Sequence, residues 1–259
     1  MQSDEPIPEP LQSFTTTASI AARLAELDVL VTHYRSELAA GRVLPNTIDA
    51  LRVEMTYHSN ALEGNTLSLR ETQLVIEGKS PGSEKDLREI YEARNHDRAL
   101  RLIEGRAKAQ HGSPDEVELL EVHSLVLADI DLVSAGRYRS GRVLISGTGY
   151  VPPGSQKFDV LMPALFALAD RPGVHPVIRS AEFHYNLVAV HPFNDGNGRT
   201  ARLMMNSLLL RNAYPFAIIN VAKRGEYLAA LDEANHGRTE PFISLIIDSL
   251  FDSTRRIVG

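Results

Sequence analysis

Apolar residues recur at helical spacing along most of this chain. Leu24, Leu27, Leu30 and Val31 stripe a predicted helix from Ala18 to Leu38, which ends near Gly41. A second begins at Pro45, runs through Ile48, Leu51 and Met55 towards Glu63, and stops at Gly64 and Asn65. Ser68 and Glu71 have capping-box spacing and open a short helix to Ile76. Residues 84–108 read as a long helix with a polar face. Ser113-Pro114-Asp115-Glu116 is a second capping-box pattern with proline at the first helical position, predicting a helix to about Ala128. Thr200 to Leu210 is rich in good helix formers. Ile243, Ile246, Ile247, Leu250 and Phe251 stripe the last helix. One stretch departs from this period. Between Arg142 and Pro153, β-branched or aromatic residues flank Gly147-Thr148-Gly149, which reads as a two-stranded hairpin. A lone hairpin is marginal in water, so it must pack on the helices or accept another strand. The expected fold is all-α with one β-hairpin.

Composition narrows the picture. A chain of 259 residues, 43% hydrophobic, supports a sizeable core as one large domain or two small ones. The net charge of −6 argues against a general nucleic-acid binder, so any phosphate site must be locally basic. The absence of cysteine excludes disulfides and thiol chemistry. No apolar run approaches the roughly 18 residues of a membrane span, so no membrane partner is expected. Residues 1–12 are acidic and proline-rich, the opposite of a signal peptide; they read as a disordered arm, and the expected location is cytoplasmic.

The candidate chemistry is concentrated between His191 and Arg202. Gly196 and Gly198, separated by Asn197, leave backbone N–H groups unshielded ahead of a helix, which is how anions are cradled. Arg199 and Arg202 share a helix face and bind phosphate oxygens bidentately. His191 is a usable general base near neutral pH. Asp195 supplies a hard oxygen of the kind magnesium takes alongside phosphates. The remaining histidines show no metal-ligand spacing.

This stretch resembles the signature of the Fic family, His-Pro-Phe-x-Asp/Glu-Gly-Asn-Gly-Arg-x-x-Arg, and matches every defined position. The resemblance runs from about Glu116 to Phe251. Gly136 to Arg139 looks like the turn ahead of the family's β-hairpin flap. Val143 to Pro153, with Val143, Ile145, Thr148, Gly149, Tyr150 and Val151, looks like the flap that pairs with an extended segment of a target protein. His184 to Val190 looks like the helix entering the signature. The implied organisation is an arm over 1–12, N-terminal helices over 13–110, and a Fic core over 111–259. The implied activity is transfer of AMP from ATP to a Ser, Thr or Tyr hydroxyl. His191 would be the base and Asp195 the Mg²⁺ ligand. Gly196, Asn197, Gly198, Arg199 and Arg202 would hold the phosphates, and Tyr227 and Asn235 the adenine. Leu228 stands where relatives often carry a second aromatic residue.

Ser59 to Asn65 resembles the family's inhibitory motif, Ser/Thr-x-x-x-Glu-Gly/Asn, placed N-terminal to the core as in class II members. The resemblance pairs Ser59 and Glu63 with Arg202, where the carboxylate competes with the γ-phosphate. It equally fits the reverse reaction, in which Glu63 orients water to remove AMP. A nucleotide-sensing interaction protein is a further alternative. Kinase chemistry of the related Doc proteins is disfavoured, because those carry lysine at the position of Gly198. The expected partner is a target protein at the flap, with a second copy of the chain a candidate.

Overall fold

In the computed structural model, residues 9–82, 84–109, 112–145 and 149–259 are described. They form α1 (Ala18–Ala39), α2 (Pro45–Ala61), α3 (Leu69–Ile76), α4 (Leu87–Lys108), α5 (Glu116–Val126), α6 (Phe158–Ala169), α7 (Pro176–Val190), α8 (Asn197–Arg211), α9 (Arg224–Asn235) and α10 (Glu240–Val258), with two short 3-10 turns. Among the described residues no helix is long and apolar enough to cross a membrane.

Helices α7 and α8 form the axis. Val177, Ala181, Tyr185 and Ala189 of α7, spaced four apart, face a cluster built with α1, α9 and α10. Phe183, Leu187 and Val190, from the other face of α7, join a second cluster with α2, α4, α5 and α6. Both helices are buried on two sides, and their buried polar side chains find partners there: Asn206 donates to Arg202 O and Ser207 to the Glu118 carboxylate. Leu51 and Leu100 sit in one cluster with Leu119 and Leu203, so the segments predicted as 13–110 and 111–259 share a core.

The structure corrects several expectations. Of the arm predicted for 1–12, residues 1–8 lie outside the described residues. Leu11, however, is buried in the second cluster, and the Gln12 N–H donates to Asn186 Oδ1 at 2.8 Å. The arm therefore does not extend to Gln12; neighbouring prolines and acids had masked these two anchors. No strand occurs among the described residues. Val143, Ile145, Gly149, Tyr150 and Val151 flank residues 146–148 without a hydrogen-bonded ladder, and Thr148 lies outside the described residues. The turn of the predicted hairpin, residues 146–148, lies outside the described residues, and its described flanks carry no strand.

Helix α6, which carries Pro163 within it, had no sequence expectation. The cap of α5 is Asp115, whose carboxylate accepts from Glu118 N at 2.8 Å, two residues later than the Ser113 box. Ser113 instead donates to the Asp170 carboxylate. By contrast the Ser68–Glu71 box is reciprocal, as its spacing predicts. Asp115→Ala should lower stability by about 1 kcal/mol, a fall of roughly 2–4 °C in melting temperature. Ser113→Ala should change it by less than about 0.5 kcal/mol. Thermal melts of the two variants check this; the larger loss at Ser113 would return the cap to that residue.

Candidate active site

Helix α7 ends at His191, which adopts φ +50°, ψ +58° and closes the helix through its own N–H to Leu187 O at 3.0 Å. The left-handed region is uncommon for a residue with a Cβ. The imidazole Nδ1 lies 3.2 Å from the Val188 carbonyl, which can only accept. Nδ1 therefore carries the proton and Nε2 keeps its lone pair. Burial lowers the pKa of His191 and outweighs the raising effects of the Val188 bond, Glu63 and Asp195, so the ring is neutral at pH 7.

Side chains aimed at backbone fix the loop that follows. The Arg139 N–H donates to Pro192 O at 2.9 Å. Its guanidinium is buried and donates to His191 O at 2.7 Å, Gly141 O at 2.6 Å and Pro153 O at 2.6 Å. One cation thus ties the loop to both ends of the flap segment. Phe193 stacks on His123 with ring centroids 3.6 Å apart. His123 Nδ1 accepts from the Gly136 N–H and Nε2 donates to Asp195 O, both at 3.0 Å. Asn197 closes the turn on itself: Oδ1 accepts from Phe193 N at 3.0 Å and Nδ2 donates to Phe193 O at 2.9 Å. Its amide is used in shaping the loop, so only its backbone N–H faces the helix entrance. Gly196 has φ +76°, and a Cβ there would press on Val126 at 3.2 Å.

The entrance of α8 already holds an anion. Arg202, only 2% exposed, donates Nη2 to Glu63 Oε1 at 2.6 Å and to Ser59 O at 2.8 Å, and Nε to Ser59 Oγ at 3.0 Å. A Cβ on Gly198 would collide with the same Glu63 oxygen. Glu63, two residues past the end of α2, therefore rests over the N-terminal turn of α8. Burial pushes the Glu63 carboxyl up, but Arg202, helped by Arg199, outweighs it and holds the pKa below the ordinary glutamate value.

A second acidic cluster flanks the entrance. Asp195 Oδ1 accepts from Gly196 N at 2.5 Å, and Oδ2 from Arg88 Nη2 at 2.6 Å. Burial raises its pKa, but Arg199, the Gly196 N–H and Arg88 together bring it below the usual aspartate value. Glu92, one turn after Arg88 on α4, lies 3.3 Å from Arg199 and accepts from Asn65 at 2.9 Å.

Beside the loop, a cavity of about 600 Å³ is bounded by the flap flanks Ile145 and Tyr150, by Tyr185 and by Leu228 and Asn235 of α9. Tyr227 is not on its wall. Buried behind it, the Tyr227 hydroxyl meets Arg202 at 3.4 Å and His184 Nε2 at 3.2 Å. The sequence placed Tyr227 on the adenine; the structure places it behind Arg202. Sequence reading also passed over Arg88, Glu92 and His123. The i,i+4 pair Arg88–Glu92 carries a faint signal; His123 carries none, since its partners lie far along the chain.

Fold and loop define an all-α protein built around a His-to-Arg turn between two buried helices. The Fic/DOC family model matches residues 113–209. A protein adenylyltransferase Fic of Nematostella vectensis is 39% identical over 193 residues, covering 73% of this chain and 45% of that protein. Fic-1 (aa134–508) from C. elegans superposes with a TM-score of 0.80 at 32% identity, covering 92% of this chain and 71% of the solved one. A Fic family protein from Desulfovibrio desulfuricans G20 gives 0.81 at 29% identity, over 94% and 75%. The chain belongs to the Fic/DOC family. It spans under half the length of the curated relatives it matches.

Burial pushes the pKa of His123 down to about 4. A ring neutral in the fold and titrating near 6.5 when unfolded contributes stability above pH 6.5. That contribution is lost as pH falls through the folded pKa, on the order of 3 kcal/mol in full. Denaturant midpoints should therefore fall between pH 6.5 and 4. Nitrogen-detected NMR should show His123 neutral and protonated on Nε2 at pH 6; a doubly protonated ring there would remove it as the acceptor of the Gly136 N–H.

Proposed function

We propose that this chain transfers AMP from ATP to a hydroxyl group of a target protein, and that Glu63 holds the activity in check. The observation that carries the reading is the carboxylate of Glu63 seated on Arg202 over the entrance of α8. The protein's own anion occupies the position a nucleotide phosphate would need.

In this reading the unprotonated Nε2 of His191 takes the proton from the target hydroxyl. The hydroxyl oxygen forms a bond to the α-phosphorus, the bond from that phosphorus to the bridging oxygen breaks, and pyrophosphate leaves. Asn197 and the backbone at Gly196 and Gly198 form the anion cradle, the Gly196 N–H exchanging its present bond to Asp195 for a phosphate oxygen. The guanidinium groups of Arg199 and Arg202 hold the β- and γ-phosphates and take up the charge of the leaving group. Asp195 suits magnesium, which takes one or two carboxylates together with substrate phosphates, and among the described residues no cluster of three metal-ligating side chains competes for it. When bound, the ion supplies charge neutralisation on the phosphates. Arg88 and Arg199 now hold the Asp195 carboxylate in its place. The flanks of residues 143–153 receive the target: Leu144 and Val151 are exposed there, and an extended segment would supply the missing pairing.

Inhibition follows from competition for one guanidinium fork. With Glu63 on Arg202, the γ-phosphate sits elsewhere and the α-phosphorus is misaligned; a displacement near 1 Å can cost about a hundredfold. Glu63→Gly should raise labelled AMP incorporation at least tenfold, which needs only about 1.4 kcal/mol at the transition state. In that background His191→Ala should abolish incorporation while leaving ATP binding largely intact. Incorporation assays with α-labelled ATP decide it. Unchanged transfer on Glu63→Gly would sink the inhibitory role, and retained transfer on His191→Ala the base.

A further inference from the structure

A segment far from the signature stands behind Tyr185, one of the walls of the 600 Å³ cavity. Residues 11–14 run along α7 as a strap. Gln12 pairs its backbone with Asn186 in both directions, N–H to Oδ1 and carbonyl from Nδ2, each at 2.8 Å. The Phe14 N–H donates to Glu182 Oε1 at 2.7 Å, and Leu11 and Phe14 are buried. The strap is thus held by backbone and apolar anchors. The Gln12 side chain takes no part in that and reaches Tyr185 instead, with Nε2 donating to Oη at 3.2 Å. Tyr185 Oη donates in turn to Asn235 Oδ1 at 3.1 Å. The Phe14 ring backs the Tyr185 ring at a centroid distance of 5.6 Å. Tyr185 and Asn235 both line the cavity.

The direction of the protons follows from what each group can offer. The amide nitrogen of Gln12 can only donate, so it fills an acceptor lone pair of the tyrosine hydroxyl. The single hydroxyl hydrogen then goes to Asn235 Oδ1. With its oxygen engaged, Asn235 has its NH₂ left for a ligand. We propose that Gln12 is a positioning residue for base recognition: through Tyr185 it orients Asn235 to present donors to the cavity, selecting a heteroaromatic base with acceptor nitrogens. The inference rests on the nucleotide reading above and adds a specificity element to it.

The test uses the full chain carrying Glu63→Gly, with ATP and inorganic tripolyphosphate titrated by calorimetry. Gln12→Ala should weaken ATP roughly three- to tenfold, the worth of one or two neutral hydrogen bonds. Tripolyphosphate affinity and melting temperature should hold, because the backbone pairing with Asn186 survives. In turnover the loss should fall on KM for ATP rather than on kcat. Gln12→Glu should do more harm, since a carboxylate draws the tyrosine proton away from Asn235. Tyr185→Phe should mimic Gln12→Ala, and the double variant should be no worse than either, as for groups acting in one chain. ATP affinity unchanged in Gln12→Ala, or equal losses for ATP and tripolyphosphate, would overturn the proposal. If the parent Glu63→Gly protein binds ATP no better than tripolyphosphate, the base pocket itself falls and the Gln12 role with it.

Discussion

Arg202 carries a permanent charge at a site only 2% exposed, and three helices are arranged to satisfy it. A guanidinium taken out of water without partners costs several kcal/mol, and stripping one partner from a buried pair costs about 3–5 kcal/mol. Helix α8 brings the cation inward. The end of α2 supplies the hydroxyl and carbonyl of Ser59 and then the carboxylate of Glu63. Helix α9 supplies the hydroxyl of Tyr227, itself held by His184 of α7. The hydrogen-bonding geometry of this one side chain therefore adds a polar constraint to the apolar packing of α2, α7, α8 and α9. That arrangement also puts Glu63 over the α8 entrance, where the helix dipole adds to the attraction for a carboxylate.

The loop between α7 and α8 depends on a complementary device. Its conformation is costly by itself, since a left-handed residue with a Cβ carries roughly 1–2 kcal/mol of steric penalty. Arg139, His123 and Asn197 offset this by bonding to backbone groups of the loop. Each is buried, so each must find partners or suffer its own desolvation. The neutrality of His123 matters here. One nitrogen must accept and the other donate, and a proton on both would break the contact with Gly136. Each support would leave a buried polar group unpaired if it let go of the loop.

This division explains what the sequence disclosed. The signature is legible because its members are neighbours along the chain as well as in space. Helix α8 is legible from its content of good helix formers, and the end of α7 only through resemblance to the family's helix over His184 to Val190. The pair Glu63–Arg202 spans 139 positions, and only resemblance to a family joined its halves. Arg88 reaches Asp195 across 107 positions and Gln12 reaches Tyr185 across 173, so neither could be read from spacing. Tyr227 shows the limit of residue type: an aromatic on a helix reads the same whether it walls a cavity or stands behind an arginine. The hairpin is a different case: alternation and glycines predict a strand pair, its turn at residues 146–148 lies outside the described residues, and the described flanks carry no strand.

In the proposed reading the switch and the fold share Arg202, yet they are separable. Without Glu63, Arg202 still has the hydroxyl and carbonyl of Ser59 and the hydroxyl of Tyr227. Those neutral acceptors keep the cation satisfied on its buried side. What Glu63 covers is the side facing the entrance, and Glu63 itself retains 42% of its side-chain surface. Its carboxylate lies against Arg202 and the α8 entrance while the rest of its side chain stays partly open, so the contact is held by local electrostatics more than by packing. In the proposed reading it leaves without opening a large cavity, and a phosphate carrying more charge would replace it on the same donors. Loss of the carboxylate should therefore change occupancy of the entrance far more than it changes stability. This is the arrangement expected if the contact serves regulation, since a contact needed for folding would be buried on both sides.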